Sequence, residues 1–379
     1  MIWVIGSPLS LAAEAGKAMA GVQSLDITRS DQRLHLLLGE TATPEAPPGL
    51  SHLWSEDNGV TWSKPLRVDL DNKPAIELRR GEDAQIAAFG DHLVASWVMA
   101  APDSAKGGVI ATALSSDRGQ TWKRGPNPDA DAPATSHTYI DMAVDGKATY
   151  HLVWVAAQEG GSSSLRTATS TDYGITWSPA RTLAGQTCEK SWNRVAASLD
   201  KGAWVIHRQK PSSDMAVAAL HDGARKEVTV GGFGWSPQDC PSTGAGLSIA
   251  PDGGLHAAVW TGKEKMSGVY YLNSSDQGLT WTEPLLLGEN YSTNPDCAAG
   301  DKNTVAAVWN APTKHALTVK AAFSKDGGRH WSGAKTLSPR DASATHPRVI
   351  ATVLGFRVFW TEVDGSLLTW KSVPFEVLE

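Results

Sequence analysis

Ser274-Ser-Asp276-Gln-Gly278-Leu-Thr280-Trp281 decides the fold, because the chain keeps repeating it. Ser55-Glu-Asp57-Asn-Gly59-Val-Thr61-Trp62, Ser115-Ser-Asp117-Arg-Gly119-Gln-Thr121-Trp122 and Ser170-Thr-Asp172-Tyr-Gly174-Ile-Thr176-Trp177 share the pattern S-x-D-x-G-x-T-W. Ser324-Lys-Asp326-Gly-Gly328-Arg-His330-Trp331 carries His in place of Thr. A pattern recurring at this spacing marks a repeat architecture. Its local chemistry is that of a turn: Asp accepts hydrogen bonds from backbone N–H groups two residues on, and Gly adopts a positive φ without a Cβ clash. The Trp then packs under the hairpin, which assigns the motif to structure rather than catalysis.

Working outward, a strand ending in Trp precedes each copy, as in Leu93-Val-Ala-Ser-Trp97, His151-Leu-Val-Trp154, His256-Ala-Ala-Val-Trp260, Val305-Ala-Ala-Val-Trp309 and Phe356-Arg-Val-Phe-Trp360. These read as alternating second strands. Before each lies a small-residue strand such as Ala84-Gln-Ile-Ala-Ala88, suited to a crowded axis. The first strands fall near Ser24, Gln85, Asp141, Arg194, Gly246, Asp296 and Arg348. Two units are degenerate, one with Leu220-His-Asp-Gly223 in place of the box and one C-terminal unit without it.

The motif resembles the Asp box of the sialidase superfamily (BNR repeats), and that resemblance implies an all-β fold, a β-propeller. The register gives seven four-stranded antiparallel blades, with six, the number in the family's sialidases, as the alternative. A single domain over 1–379 is expected, with blades near 20–72, 80–130, 135–186, 188–233, 238–289, 292–340 and 343–379. The N-terminal segment 1–7 is expected to close the last blade and remove a sheet edge.

Composition narrows the partners. Of 379 residues, 41% are hydrophobic and 20% charged, the balance of a globular chain with a large core. A net charge of −6 and no polybasic run argue against nucleic acid. No stretch is apolar enough for a membrane-spanning helix. Residues 1–13 form a short apolar start without a basic region, a poor signal peptide. An extracytoplasmic home, periplasmic or secreted, follows from the resemblance alone. Cys188 and Cys240 sit before adjacent first strands, open to a disulfide, a soft metal ion or two free thiols. No cofactor is implied.

In a propeller the ligand face is built by loops leading into first strands and out of second strands. This places His137, Tyr139, Asp141, Glu189, Trp192, Arg194, Asp83, Tyr291, Asp296, His346, Arg348 and Arg208 around one mouth. Asp141, Arg194, Asp296 and Arg348 put opposite charges in one channel, either as buried ion pairs or as an anion clamp beside an acid or base. In sialidases three arginines hold the substrate carboxylate, a Tyr–Glu pair attacks, and an Asp is acid and base. Glu189 and Arg208 resemble the segment holding the Glu and the second arginine, and Tyr291-Ser292 resembles the nucleophile's pair. No Arg-Ile-Pro opens the first blade, and Lys263 and Lys265 stand where the third arginine belongs. The resulting expectation is binding or cleavage of an acidic glycan at the mouth. One alternative is a non-catalytic glycan- or protein-binding propeller. Another is a polysaccharide lyase on uronic-acid polymers, with His137, Tyr139 or His346 as base and Arg194 or Arg348 neutralising the carboxylate.

Overall fold

The computed structural model describes residues 19–70, 76, 78–100, 108–130, 136–157, 162–221, 226–300 and 303–375. Every regular element among them is a β-strand. The first unit runs Ala20–Ser30, Arg33–Thr41, Gly49–Ser55 and Leu66–Arg67, each strand antiparallel to the one before. Units beginning at Gln85–Phe89 and His137–Val144 repeat this order and join into one sheet through Gly108 opposite His137. Three separate four-stranded antiparallel sheets begin at Arg194–Ala197, Gly246–Ile249 and Thr293–Ala299. The last strands, Ala344–Thr352, Gly355–Asp364 and Leu367–Phe375, merge with the first unit, because Leu367 and Leu368 pair in parallel with Ala20 and Gly21. The expected closing segment 1–7 lies outside the described residues.

The sequence reads the second strands as alternating, yet they are buried on both faces: every residue of Ala203–Arg208 is buried, and so is Val305–Pro312 up to its final proline. The reason is face-to-face stacking of successive sheets, which gives each strand two apolar neighbours. Trp204, Ile206 and Val217 pack against Leu247, Leu255 and Val259 of the next sheet. Val308, Val319 and Ala321 do the same with Val349, Val358 and Trp360. Leu25, Leu36 and Leu53 of the first unit meet Phe359 and Trp370 of the last, so a core also fills the join between the chain's two ends.

The repeated turns share one set of hydrogen bonds among Ser, Asp, Gly and Thr or His, to which Trp62, Trp122 and Trp331 add a bond from Nε1. Ser55 Oγ accepts Gly59 N–H at 2.7 Å and donates to Asp57 Oδ1 at 2.7 Å. Asp57 accepts the N–H and hydroxyl of Thr61 at 2.9 and 2.6 Å, so its reach is four residues rather than two. Trp62 Nε1 donates to Gly59 O at 3.0 Å. His330 Nδ1 replaces the threonine hydroxyl against Asp326.

Candidate functional site

The first strands of successive units lie side by side about a common axis, and the last, Ala344–Thr352, returns to contact the first, Ala20–Ser30. They make no ladder with one another, so side chains tie them. Asp26 Oδ2 accepts Ile86 N–H at 2.9 Å, Asp141 Oδ2 accepts Val195 N–H, and Asp296 Oδ2 accepts Val349 N–H at 3.0 Å. Ser24 and Ser248 hydroxyls accept Ala84 and Ala299 N–H at 2.9 Å. At Gly246 a Cβ would strike the backbone of Asp296, so the tie from that unit comes from Ser248, two residues on.

Asp141, Arg194, Asp296 and Arg348 do converge, in one continuous chain of charge. Arg194 Nη1 meets Asp141 Oδ1 at 3.0 Å and its Nε lies 4.0 Å from Asp296. Arg348 Nε meets Asp296 at 3.2 Å, and its Nη2 meets Asp26 at 3.0 Å. Beside them Arg80 pairs with Asp83 and donates to His346 O at 2.7 Å and Leu25 O at 3.1 Å. Four carboxylates, Asp26, Asp83, Asp141 and Asp296, thus face three guanidinium groups, and no arginine charge remains for an anion. Burial, opposed by Arg194, pushes Asp141 up to about 6. Burial works against the Arg348 charge, but Asp26, Asp296 and Asp141 hold it above its ordinary value. The cleft these groups share with Trp192, Asn294 and His346 encloses about 20 Å³, room for one water. His346, its ring 5.7 Å from that of Trp192, is held down to about 3 by burial and by Arg80.

Other expected site residues are placed elsewhere or differently. His137 is buried, with Nδ1 against Gly108 O at 2.8 Å and Nε2 against Asp129 at 3.0 Å, and Asp129 also holds Arg166 at 3.2 Å. It joins two units instead of facing the mouth. Arg208, placed from sequence at the mouth as an anion binder, is 1% exposed. Its guanidinium donates to Thr243 O at 2.7 Å, Trp260 O at 3.3 Å, Ser213 O and Ser191 Oγ, between the Trp235 and Trp260 rings. Burial lowers it to about 9. Tyr291 is 76% exposed, at φ 69°, on the loop before Thr293–Ala299. Glu189 pairs with Lys210 at 2.6 Å; burial opposes its charge, but Lys210 holds it below its usual value.

Tyr139 stands at the rim with Arg79, whose Nη2 lies 3.4 Å from the phenol oxygen. Burial raises the phenol above its ordinary value, while Arg79 opposes. Arg79 is 67% exposed and meets Glu82 at 2.6 Å. Both line a cavity of about 520 Å³ with Gln23, Thr41, Ser136 and Thr138, walled by Pro44, Pro48 and Leu78. A second opening of about 550 Å³ lies at the opposite end of the axis, below the ion pairs, edged by Arg29, Asp31, Asp145 and Ser198. Asp26 was not singled out from sequence. The signal for Asp26 was available: Leu25-Asp26-Ile27 matches Ile140-Asp141-Met142 in the third unit.

A family model described as a BNR repeat-like domain matches residues 17–231 and again 150–356. A sequence search of curated proteins finds no match. Among solved structures, an ulvan lyase of family PL25, bound to a GlcA–Rha3S fragment, aligns with TM-score 0.61 at 12% identity, covering 95% of each chain. YCF48 bound to D1 peptide aligns with TM-score 0.52 at 15% identity, over 95% of this chain and 98% of that one. A mutant Trypanosoma rangeli sialidase displaying trans-sialidase activity aligns with TM-score 0.52 at 13% identity, over 80% of this chain and 54% of its own. At such identities the likeness shows a propeller fold.

Proposed function

Because the chain belongs to the BNR repeat-like domain family, we propose that it is a single seven-bladed propeller whose mouth face binds an acidic glycan without cleaving it. The blade count rests on the return of the last first-strand to the first and on the core between the two ends of the chain. The Asp-box turns cap five of those blades.

One observation carries the binding reading: Arg194, Arg348 and Arg80 are all neutralised at the axis, and the cleft there holds no more than a water. A clamp for a carboxylate needs unspent donors, and a sugar ring needs more space. Space is found off axis, where Arg79, bonded to Glu82 at 2.6 Å but two-thirds exposed, lines a cavity of about 520 Å³ in the range of small-ligand sites and keeps N–H groups facing solvent. Asp83, Asp296, Arg194, Arg348 and Asp141 then serve as framework. Glu189, Trp192, His346 and Tyr291 form the surrounding rim, and Arg208 and His137 brace it from within. The bond between Cys188 and Cys240 supports an oxidising compartment, periplasmic or secreted.

Titration calorimetry with uronate- and sulfate-bearing oligosaccharides tests this, beside assays for sugar release from sialosides and for unsaturated ends from uronic-acid polymers. Binding without turnover is expected, weakened at least tenfold or so in Arg79→Ala. The lyase reading draws on Tyr139 beside Arg79, a base and a neutralising cation 3.4 Å apart. The raised phenol opposes it, since such a base must first lose its proton. Unsaturated product abolished by Tyr139→Phe would establish that reading in place of ours.

A further inference from the structure

Cys188, Glu189 and Cys240 offer two sulfurs and a carboxylate oxygen that all lie within 4.8 Å of one another. Two adjacent units supply them: Cys188 and Glu189 precede the strand Arg194–Ala197, and Cys240 precedes Gly246–Ile249. The sulfurs are bonded in this structure, with Cα atoms 5.7 Å apart. A cation and a hydroxyl flank the three side chains. Lys210 Nζ sits 2.6 Å from Glu189, and the Ser191 hydroxyl lies 3.5 Å from Cys188 Sγ while accepting from Arg208 Nε at 3.1 Å. Glu189 keeps 37% of its side chain exposed, which leaves a path from solvent.

We propose that Cys188, Glu189 and Cys240 form a redox-gated site for one soft or borderline divalent metal ion, held by two thiolates and one carboxylate with a fourth position open to solvent. The ligand types suit Zn²⁺ or Cd²⁺, and a tetrahedral ion with sulfur bonds of about 2.3 Å needs its ligand atoms roughly 3.5 to 4 Å apart. An external dithiol gives up two electrons and two protons and becomes a disulfide, or a phosphine with one water becomes the phosphine oxide; the bridge is thereby converted to two thiols, and the metal displaces both protons to solvent as it binds. In the bonded state neither sulfur is a ligand, so oxidation ejects the ion. The remaining cysteine, Cys297, is buried on a different strand, and burial raises its thiol well above the ordinary value, so it takes no part.

Cadmium alone, added to the full chain before and after phosphine treatment, tests this through thiolate-to-cadmium ultraviolet absorbance and native mass. The reduced protein is expected to take up one equivalent and the oxidised protein none. Cys297→Ser keeps the absorbance, Cys240→Ser loses it, and Glu189→Gln binds about tenfold more weakly. Several outcomes overturn the proposal: a bridge that phosphine leaves intact in the folded protein, two freed thiols that take up no cadmium, or uptake that survives in Cys240→Ser. The wild-type comparison stands even if a variant fails to fold.

Discussion

At the scale of single residues, burial acts on acids and histidines in opposite senses, and the pH dependence of stability records the contest. Burial, against Arg194, raises Asp141 to about 6, and burial lowers His52 and His256 to about 4. A raised Asp favours the folded state fully below the unfolded value of 3.8 and loses that contribution as pH climbs to about 6. A lowered His contributes fully above 6.5 and loses it as pH falls to about 4. Each titration is worth about 1.4 kcal/mol per pH unit, so the histidines outweigh Asp141 and stability rises with pH between about 4 and 6. Asp141→Asn removes an opposing slope, and the rise is expected to steepen by up to about 1.4 kcal/mol per unit in urea unfolding. An unchanged slope would mean Asp141 is already ionised in that range. Residues are also where sequence reading is weakest. Arg208 lies at a strand end by pattern, but Trp260 and the Thr243 carbonyl that bury it come from the next unit, beyond any local signal.

Elements were legible where their chemistry is local. The box turns announce themselves because Ser, Asp, Gly and Thr satisfy one another within seven residues, as Ser55, Asp57, Gly59 and Thr61 do. The first strand was legible in type but not in position: the axial carboxylate stands at Asp26, two residues beyond the expected Ser24 and on the same face of the strand. The boxes yield a graded prediction. Gly59 and Gly328 both hold positive φ, 84° and 90°, so alanine strains either turn by about 1 kcal/mol. What a new Cβ meets differs. At Gly59 it meets the Arg357 stem, which moves only by giving up its bonds to Asn58 O and Ser372 Oγ at 2.9 and 3.1 Å, whereas at Gly328 it strikes the rigid ring and hydroxyl of Tyr271, only 1% exposed and bonded to His256 at 2.6 Å. Gly328→Ala is therefore expected to lose about 2 to 3 kcal/mol and Gly59→Ala about 1 to 2, read from urea midpoints. Equal losses would place the whole effect in φ and none in the packing between sheets.

At the scale of the molecule, the question is what holds the ring where the chain's two ends meet. Backbone pairing there amounts to Ala20 with Leu367 and Gly21 with Leu368, short beside the ladders inside each sheet. Arg348 adds a second tie, since from the last unit it reaches Asp26 in the first and Asp296 in the sixth. Removing it leaves buried Asp26 without its paired cation and Asp296 with Arg194 at 4.0 Å alone, a kind of change that costs about 3 to 5 kcal/mol where measured. Arg348→Ala is thus expected to lower the unfolding midpoint sharply. Arg79→Ala, at a site 67% exposed, should stay within about 0.5 kcal/mol of wild type while losing glycan affinity. A joint substitution, Asp26→Asn, Asp296→Asn and Arg348→Met, separates charge from hydrogen bonding. It leaves no charge stranded among the three positions, yet each Asn oxygen can still accept the N–H of Ile86 or Val349 that its Asp accepts now. Recovery of most of the Arg348→Ala loss is expected, because neutral replacement of a buried ion triad is often close to neutral in stability. A triple variant no more stable than Arg348→Ala would instead make the guanidinium's packing against the axis, not its charge, the closure of the ring.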